Sequence, residues 1–322
     1  MELALTEEQT ELVATVRSLL AKRGDARATA YDEGLWQTLC EQIGVAALGI
    51  PEEHDGAGFS LFEALLVLEE LGRACVPSPL LSSLVVSEAL LAGGDDAARA
   101  RLLPRLAAGE VASYDDGSGR PVADADVATL LLAGTPGGLV EVDPTTARAT
   151  RRGTVDQTLH LADLDLSGAT TTPAGDAAAA AERAALVQAA GVAALATGLS
   201  ARALEATVAY SKDRVQFGRP IGSFQALKHR MADLHVLVEM SRSASWTASW
   251  SVSSRADDAA HHAHVAAAYC TDAALRVTGE AIQLHGGIAI TWEHDAHLWF
   301  KRAHALTQLA GSPREHRARV EV

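Results

Sequence analysis

Cysteine is scarce in this sequence and is not arranged for disulfide or metal chemistry. Of 322 residues only three are cysteines: Cys40, Cys75 and Cys270. Their number is odd, they lie far apart and no CxxC pair occurs, so neither a disulfide framework nor a zinc site is indicated. We therefore expect a protein of the reducing cytoplasm.

Basic residues are outnumbered by acidic ones. The chain contains 27 Lys and Arg against 41 Asp and Glu, a formal net charge of -14 at pH 7. This balance argues against nucleic acid or an anionic membrane as a partner, although a local basic cluster can still hold a phosphate. The most apolar long stretch, residues 177–199, is mainly alanine and contains Glu182 and Arg183, and the opening MELALTEEQ is acidic where a signal peptide would be basic. We expect neither a membrane span nor an export signal.

Motifs of metal-dependent and nucleophilic catalysis are missing too. The sequence has no HExxH and no GxSxG, and Cys270 falls inside a predicted helix without a paired histidine. Five histidines fall into two groups, the second predicted to share one helix face: His261, His262 and His264, then His294 and His297. Such spacing could hold a metal, but solvated helix ends and interface contacts are the favoured interpretation, and no metal is predicted.

The pattern of apolar residues predicts a mainly α protein. Residues 1–112 are helical by pattern: Thr6 and Gln9 have the spacing of a capping box, and Ser60 and Glu63 repeat it ahead of a leucine-rich run. These signals predict an N-terminal helical domain.

The pattern changes twice further along the chain. Residues 113–173 contain the turns DDGSG, GTPGG and DPTT between short apolar runs such as VATLLLAG, which predicts a small β-rich middle domain. Residues 174–322 return to the helical period, with four successive groups of apolar residues and short connections. We predict a C-terminal four-helix bundle there.

One stretch indicates chemistry: YSKDRVQFGRPIGSFQALKH, residues 210–229. Arg214, Arg219 and Lys228 surround a turn rich in glycine and proline. Ser223 is predicted to cap the next helix, leaving free amide donors where a diphosphate would fit. The alternative is a solvated basic loop between two bundle helices, and charge alone favours that alternative.

The residues around this stretch resemble a known family. RVQFGRPIGSFQALKHRMAD, followed by AIQLHGGIAITWEHDAHLWFKRA, resembles the C-terminal domain of the acyl-CoA dehydrogenases, and GVAALGIPEEHDGAGFSLFEALLVLEELGR resembles their N-terminal domain. The resemblance covers nearly the whole chain. It implies an N-terminal helical domain, a middle β-domain and a C-terminal four-helix bundle that bind FAD. It also implies an oxidoreductase that inserts a double bond between the α and β carbons of an acyl-CoA.

The resemblance assigns one part of a flavin site to this chain. Six residues match family positions that contact the FAD of a neighbouring subunit: Arg214, Phe217 and Gln225, and Gln283, Gly286 and Gly287 of a QxxGG segment on the ADP half. The residue types suit the task. Arginine offers a permanent charge and a fork of donors to a pyrophosphate, and glycine lets the backbone approach closely.

The catalytic part of the family pattern is missing. The family's usual Glu, in a segment like YEGT, aligns with Ala310, and a minority base position on an earlier helix aligns with Gln188. Neither side chain accepts a proton from carbon at neutral pH, and losing a general base typically lowers the rate by about 10²- to 10⁴-fold. SYDDGSGRPVADADV stands where the family has TEPxAGSD, and the middle domain is shorter than a complete flavin pocket needs.

Three hypotheses follow. The favoured one is a non-catalytic subunit that lends its residues to FAD held mainly by a partner, which also holds most of the acyl-CoA. The ending QLAGSPREH resembles the small base-less subunit of actinobacterial α2β2 acyl-CoA dehydrogenases, which implies a steroid side-chain CoA thioester as substrate and an electron-transfer flavoprotein as acceptor.

The two alternatives place the chemistry elsewhere. The first is a self-sufficient enzyme with a displaced base, for which three carboxylates are candidates: Glu280 on a predicted helix surface, Glu293 in the predicted first turn of a helix, and Glu315 in a polar tail. The second is a structural protein that binds no flavin.

Overall fold

Helices make up the first third of the chain. The computed structural model describes residues 4–320, and its N-terminal part contains α1 (Glu7–Arg23), α2 (Glu33–Ile43), α3 (Leu61–Ala74), α4 (Leu80–Gly93) and α5 (Asp96–Ala107). Both predicted capping boxes form. The side chains of Thr6 and Ser60 accept backbone N–H groups of the first turn, and the side chains of Gln9 and Glu63 accept the backbone N–H groups of Thr6 and Ser60 in return. Each box satisfies donors that the start of a helix leaves unpaired.

The middle of the chain forms two small sheets. Its strands are β1 (Ala112–Asp115), β2 (Val122–Ala123), β3 (Leu130–Thr135), β4 (Gly138–Val142), β5 (Arg148–Arg151), β6 (Leu161–Asp165) and β7 (Thr171–Gly175). The sheets have the orders β1-β3-β4-β7 and β2-β6-β5, with β1 parallel to β3 and every other pair in them antiparallel. A separate cluster of small apolar residues lies in this region: Val122, Ala125, Leu131, Ala133, Val142 and Ala162. The predicted β-rich insert is confirmed.

Long helices return in the last part of the chain. It contains α6 (Ala177–Asp213), the hairpin β8 (Val215–Gln216) and β9 (Arg219–Pro220), α7 (Gln225–Ser253), α8 (Ala259–His285), α9 (Ala296–Leu309) and α10 (Pro313–Ala318). The predicted bundle is confirmed, with α6 packed against α7, α8 and α9. In the described part of the chain, α6 alone has the length and hydropathy of a membrane span, but 83% of its apolar window is buried inside the protein, as in a core helix.

Two glycines bring α3 and α6 together backbone to backbone. A Cβ atom added to Gly198 would lie 1.8 Å from the carbonyl oxygen of Glu69, and one added to Gly72 would lie 2.2 Å from that of Leu195. Any larger residue would push the helices apart, because these contacts are with backbone atoms that cannot rotate away. The N-terminal helices are thereby fixed on the bundle.

A buried ion pair joins the middle segment to α9. The Arg302 and Asp156 side chains are 2% and 3% exposed, and Arg302 Nε lies 2.5 Å from Asp156 Oδ2. Arg302 also donates to the carbonyl oxygens of Thr158 at 3.3 Å and Val76 at 3.4 Å. The Arg302–Asp156 ion pair, which is almost wholly buried, therefore joins the connection between β5 and β6 to the bundle.

Candidate functional site

The two sequence segments assigned to a flavin lie at one end of the bundle. Arg214 ends α6, with its N–H donating to the carbonyl of Tyr210 at 2.9 Å, and Gly286 directly follows the last residue of α8, His285. The rings of Tyr210 and His285 stack with their centroids 4.5 Å apart. Because this contact joins the two helix ends, the structure brings both segments together. We call this region the basic end.

The first segment is a hairpin that projects from the basic end. β8 pairs with β9, and the connection turns at Phe217 and Gly218, whose φ angles are +54° and +76°. Phe217 is 92% exposed, and the Arg219 guanidinium lies 4.0 Å above the ring of Phe224. Gly222 is required where the chain returns, because a Cβ there would lie 2.9 Å from the backbone oxygen of Ser211. The hairpin is thus held at its base and open at its tip.

Four cations at the basic end form no ion pair within the described residues. Four exposed cations lie on or beside the hairpin: Lys212, Arg214, Arg219 and Lys228. The ion pairs formed among residues 4–320 leave these four without a carboxylate partner. In a chain of net charge -14, this region is a local attractor for anions.

The predicted cap of α7 was wrong. Phe224, not Ser223, is the N-cap residue, and no side chain accepts from the first amides of the helix. Ser223 ends a 3-10 turn, Ile221–Ser223, where its hydroxyl donates to the Pro220 carbonyl at 2.7 Å. The amides of Gln225 and Ala226 therefore remain open to an external acceptor, whereas the Leu227 N–H donates to the Phe224 carbonyl at 3.1 Å.

In the second segment the backbone of two glycines is exposed to solvent. Gln283, Gly286 and Gly287 are exposed, and Gly286 has φ +69° where α8 ends. A Cβ atom on either glycine would meet no atom of the described chain within 4 Å. The space there is open to a ligand, and the positive φ at Gly286 favours glycine.

Both positions of the missing base lie in one narrow cleft. Ala310 ends α9, and Gln188 on α6 donates from Nε2 to the Leu309 carbonyl at 2.9 Å. The cleft has a volume of about 180 Å³ and runs between α4, α6, the end of α9 and the turn that follows β1. Its α6 wall is mainly alanine, and neither base position offers a carboxylate.

Glu315 is committed to a structural role. It was predicted to lie in a polar tail, but it is the N3 residue of a capping box that Ser312 opens for α10. Its other oxygen accepts from Arg120 Nη2 at 2.9 Å. Hydrogen bonds from Ser312, reinforced by Arg120, lower the pKa of Glu315 to about 2. A carboxylate with so low a pKa is a poor proton acceptor at pH 7.

The two other candidate carboxylates lie away from the cleft. Glu280 on α8 accepts from Arg230 Nε at 2.8 Å. Glu293 was predicted to lie in the first turn of a helix, which was wrong, because α9 begins three residues later. Its N–H instead donates to Thr291 Oγ1 at 3.3 Å in the preceding turn.

The histidines do not form a metal site. No group of three or more metal-binding side chains occurs within residues 4–320. His264 and His316 touch through Nδ1 atoms 3.0 Å apart, and burial lowers the pKa of His316 to about 4. The prediction that His294 shares a helix face with His297 was wrong, because His294 precedes α9 and stacks on His285.

Cys270 is equally unsuited to nucleophilic chemistry. It lies in α8, as the sequence predicted, and its side chain is fully buried. Burial raises the pKa of its thiol to about 12. Since the thiolate is the reactive form, this cysteine is a packing residue.

Two parts of the site were not predicted: Arg120 and helix α10. Arg120 follows β1 in a loop with no sequence signal for its contact with Glu315. α10 had a signal, because Ser312 and Glu315 have capping-box spacing and Pro313 occupies the first helical position.

Sequence comparisons agree with this architecture. The profile described as "Acyl-CoA dehydrogenase, N-terminal domain" matches residues 6–110, and "Acyl-CoA dehydrogenase, C-terminal domain" matches residues 178–321. Acyl-CoA dehydrogenase IpdE2 of Mycolicibacterium smegmatis is 45% identical over 325 residues, which cover 98% of this chain and 99% of that protein.

The chain belongs to the acyl-CoA dehydrogenase family. Acyl-CoA dehydrogenase IpdE2 of Mycobacterium tuberculosis is 43% identical, covering 98% of this chain and 96% of that protein. The family is one of flavoprotein oxidoreductases, and the resemblance stated from the motifs of the chain is confirmed.

Solved structures show the same fold. A structure titled "Tcur3481-Tcur3483 steroid ACAD G363A variant" superposes with a TM-score of 0.86 at 27% identity, covering 98% of this chain and 96% of that one. The ChsE4-ChsE5 complex from Mycobacterium tuberculosis gives 0.87 at 24% identity, with 99% and 98% covered. The acyl-CoA dehydrogenase fold with a small β middle part is therefore confirmed.

Proposed function

We propose that this chain is the non-catalytic subunit of a heteromeric acyl-CoA dehydrogenase and completes the FAD site of a catalytic partner. One observation carries the proposal: the six residues that match the family's FAD contacts are present, while Ala310 and Gln188 occupy both positions that align with the family's base. A chain that keeps the cofactor-binding residues but lacks the catalytic base is expected when another chain supplies that base.

The residues of the basic end fit FAD. Arg214 would face the pyrophosphate, Gln225 and Gln283 would donate to phosphate or ribose oxygens, and Gly286 and Gly287 would let the ADP half approach the backbone. Phe217, at the hairpin tip, would cover an apolar part of the cofactor. When bound, FAD supplies the acceptor for the hydride that leaves the β carbon.

The cleft beside Ala310 is unsuited to the whole reaction. Its volume of about 180 Å³ is below the range of roughly 300–1,000 Å³ typical of small-molecule sites. Of the three candidate carboxylates, Glu315 is held by Ser312 and Arg120. In the proposed complex the partner provides the proton acceptor and most of the acyl-CoA site.

The names of two structural neighbours support a proposal for the class of partner and substrate. The name of one structural neighbour, at 27% identity, refers to a steroid acyl-CoA dehydrogenase with two components, Tcur3481 and Tcur3483. The name of another refers to a complex of ChsE4 with ChsE5. We extend this to the present chain: a partner acyl-CoA dehydrogenase subunit in a heterotetramer, a CoA thioester of a steroid side chain, an electron-transfer flavoprotein as acceptor, and a cytoplasmic location.

Flavin content and native mass test the proposal. The chain is expressed alone and with each acyl-CoA dehydrogenase chain of the same genome that keeps the catalytic Glu. We expect the lone chain to carry no FAD, and the correct pair to carry one FAD per two unlike chains. One FAD per lone chain with acyl-CoA oxidation would overturn the proposal in favour of a displaced base, and a pair without FAD would favour a structural protein.

Arg214→Gln is expected to weaken FAD binding in the assembled complex by about 10- to 100-fold, the worth of a charged hydrogen bond of about 1.5–3 kcal/mol. The measurement is FAD retained after dialysis, together with the FAD dissociation constant. Arg148→Gln is the matched control. It removes the same charge from an exposed arginine that lies on β5, in the middle part of the chain. Equal FAD retention in the two variants would show that Arg214 does not bind the cofactor.

A further inference from the structure

An exposed tryptophan lies just beyond the glycines of the basic end. Trp292 is 58% exposed and Ile290, two residues earlier, is 74% exposed. Both belong to the segment between α8 and α9 that begins with Gly286 and Gly287. Both residues lie in a stretch that resembles the family, but neither is among the six residues assigned to FAD, so their exposure needs its own explanation.

Trp292 is held in place although it faces solvent. Its carbonyl accepts from Arg27 Nη1 at 2.6 Å, and Arg27 is fixed in turn by Asp295 at 2.8 Å. The ring packs edge to face against His297 at 4.8 Å, and the Lys301 ammonium lies 5.3 Å from its centroid. A large side chain held in one orientation loses little conformational entropy on binding, so the indole is preorganised for a contact.

The packing behind the indole leaves a polar atom unsatisfied. His297 Nε2 is buried and has no hydrogen-bond partner within residues 4–320. Such an atom costs free energy, and the packing of His297 against Trp292 supplies no hydrogen bond to offset that cost.

We infer that Trp292 and Ile290 form an anchor for the polypeptide of the FAD-carrying partner, which would contact them with an apolar surface bordered by acidic residues. This inference rests on the proposed function, because it uses the same partner. A polypeptide is favoured because an exposed aromatic side chain close to an exposed aliphatic one is the composition of an interface core, and stacking of the cofactor on Trp292 is an outcome of the test below. The acidic border follows from the exposed cations of the adjacent basic end.

Interfaces concentrate their binding free energy in a few anchored aromatic residues. Trp292→Ala is accordingly expected to weaken the complex with the partner by about 30-fold or more, the loss that corresponds to roughly 2 kcal/mol. Isothermal titration calorimetry measures this with the glutamate-bearing partner chain identified by co-expression, prepared both with FAD and after FAD removal. The same loss is expected for both preparations.

The matched control is Trp250→Ala. Trp250 is 45% exposed, but it lies near the C-terminal end of α7, 25 residues from Gln225, which is about 37 Å along the helix. We expect its truncation to change the affinity by less than about threefold. Hydroxyl-radical footprinting of the wild-type chain removes any dependence on how the variants fold: oxidation of Trp292 should fall on complex formation, and oxidation of Trp250 should not.

The outcomes separate the two proposals. A complex that shares FAD, yet binds Trp292→Ala as tightly as wild type and leaves Trp292 oxidisable, overturns the anchor and leaves the proposed function intact. A loss of affinity confined to the FAD-loaded partner assigns Trp292 to the adenine ring and also overturns the anchor. If no glutamate-bearing chain associates with wild type, the proposed function fails and the anchor fails with it.

Discussion

Asp156→Ala is expected to lower the free energy of unfolding by about 3–5 kcal/mol, the usual cost of leaving one partner of a buried ion pair uncompensated. Arg302 would remain almost wholly buried with no carboxylate against its Nε. The hydrogen bonds that Asp156 Oδ1 accepts from the backbone and hydroxyl of Thr158 would disappear as well. Urea or guanidinium unfolding followed by circular dichroism measures the change.

Two comparisons show whether burial causes this loss. Asp163→Ala breaks the pair of Asp163 with Arg152, whose side chains are half exposed, and should cost less than about 1 kcal/mol. Replacing Asp156 and Arg302 together by leucine and methionine should recover most of the stability, because no unpaired charge remains. If Asp156→Ala cost no more than Asp163→Ala, the buried pair would contribute nothing beyond a surface pair.

Asp124→Asn is expected to stabilise the protein at pH 8 by up to about 4 kcal/mol, the free energy of a pKa shift of about three units. Burial raises the pKa of Asp124 from 3.8 to about 7. The hydrogen bonds agree: Ser82 Oγ lies 2.6 Å from Asp124 Oδ2 and 2.9 Å from the Pro79 carbonyl, yet it has one proton. A protonated Asp124 resolves this by donating to Ser82, which then donates to Pro79, and an asparagine amide can do the same.

The sign of the pH dependence follows from this shift. The folded pKa lies above the unfolded value, so the folded chain binds the proton more tightly. The contribution of Asp124 is most favourable below pH 3.8 and is lost as the pH rises towards 7. Asparagine has no such titration and tolerates the φ of +57° at this position. The unfolding free energies of the two proteins should diverge from pH 5 to about pH 7 and differ by a constant amount above it, and a constant difference from pH 5 onward would contradict the shifted pKa.

The helical part of the fold could be predicted because its determinants are local. Thr6 with Gln9 and Ser60 with Glu63 place two helix starts by spacing alone, and the capping boxes form where that spacing occurs. The bundle follows from apolar residues at helical intervals. Ser312 and Glu315 have the same capping-box spacing at the start of α10, a helix that was not predicted.

The parts that the sequence did not reveal depend on distant residues. Glu293 was misplaced because helix α9 starts after a turn closed by Thr291, and Ser223 bonds within its own 3-10 turn instead of capping α7. The pairing of Arg302 with Asp156 joins residues 146 positions apart, and no pattern along the chain indicates it. The motifs singled out the two segments of the basic end, but no pattern indicated that a hairpin would carry the first of them or that Trp292 would be exposed in the second.

The glycine contact between α3 and α6 has a mechanical consequence. At Gly72 and Gly198 the backbone of each helix lies directly against the backbone of the other, so no side chain at these two positions can change rotamer to let the helices shift. A partner bound at one end of the bundle therefore also fixes the orientation of the N-terminal helices. The bundle and these helices move together as one rigid unit.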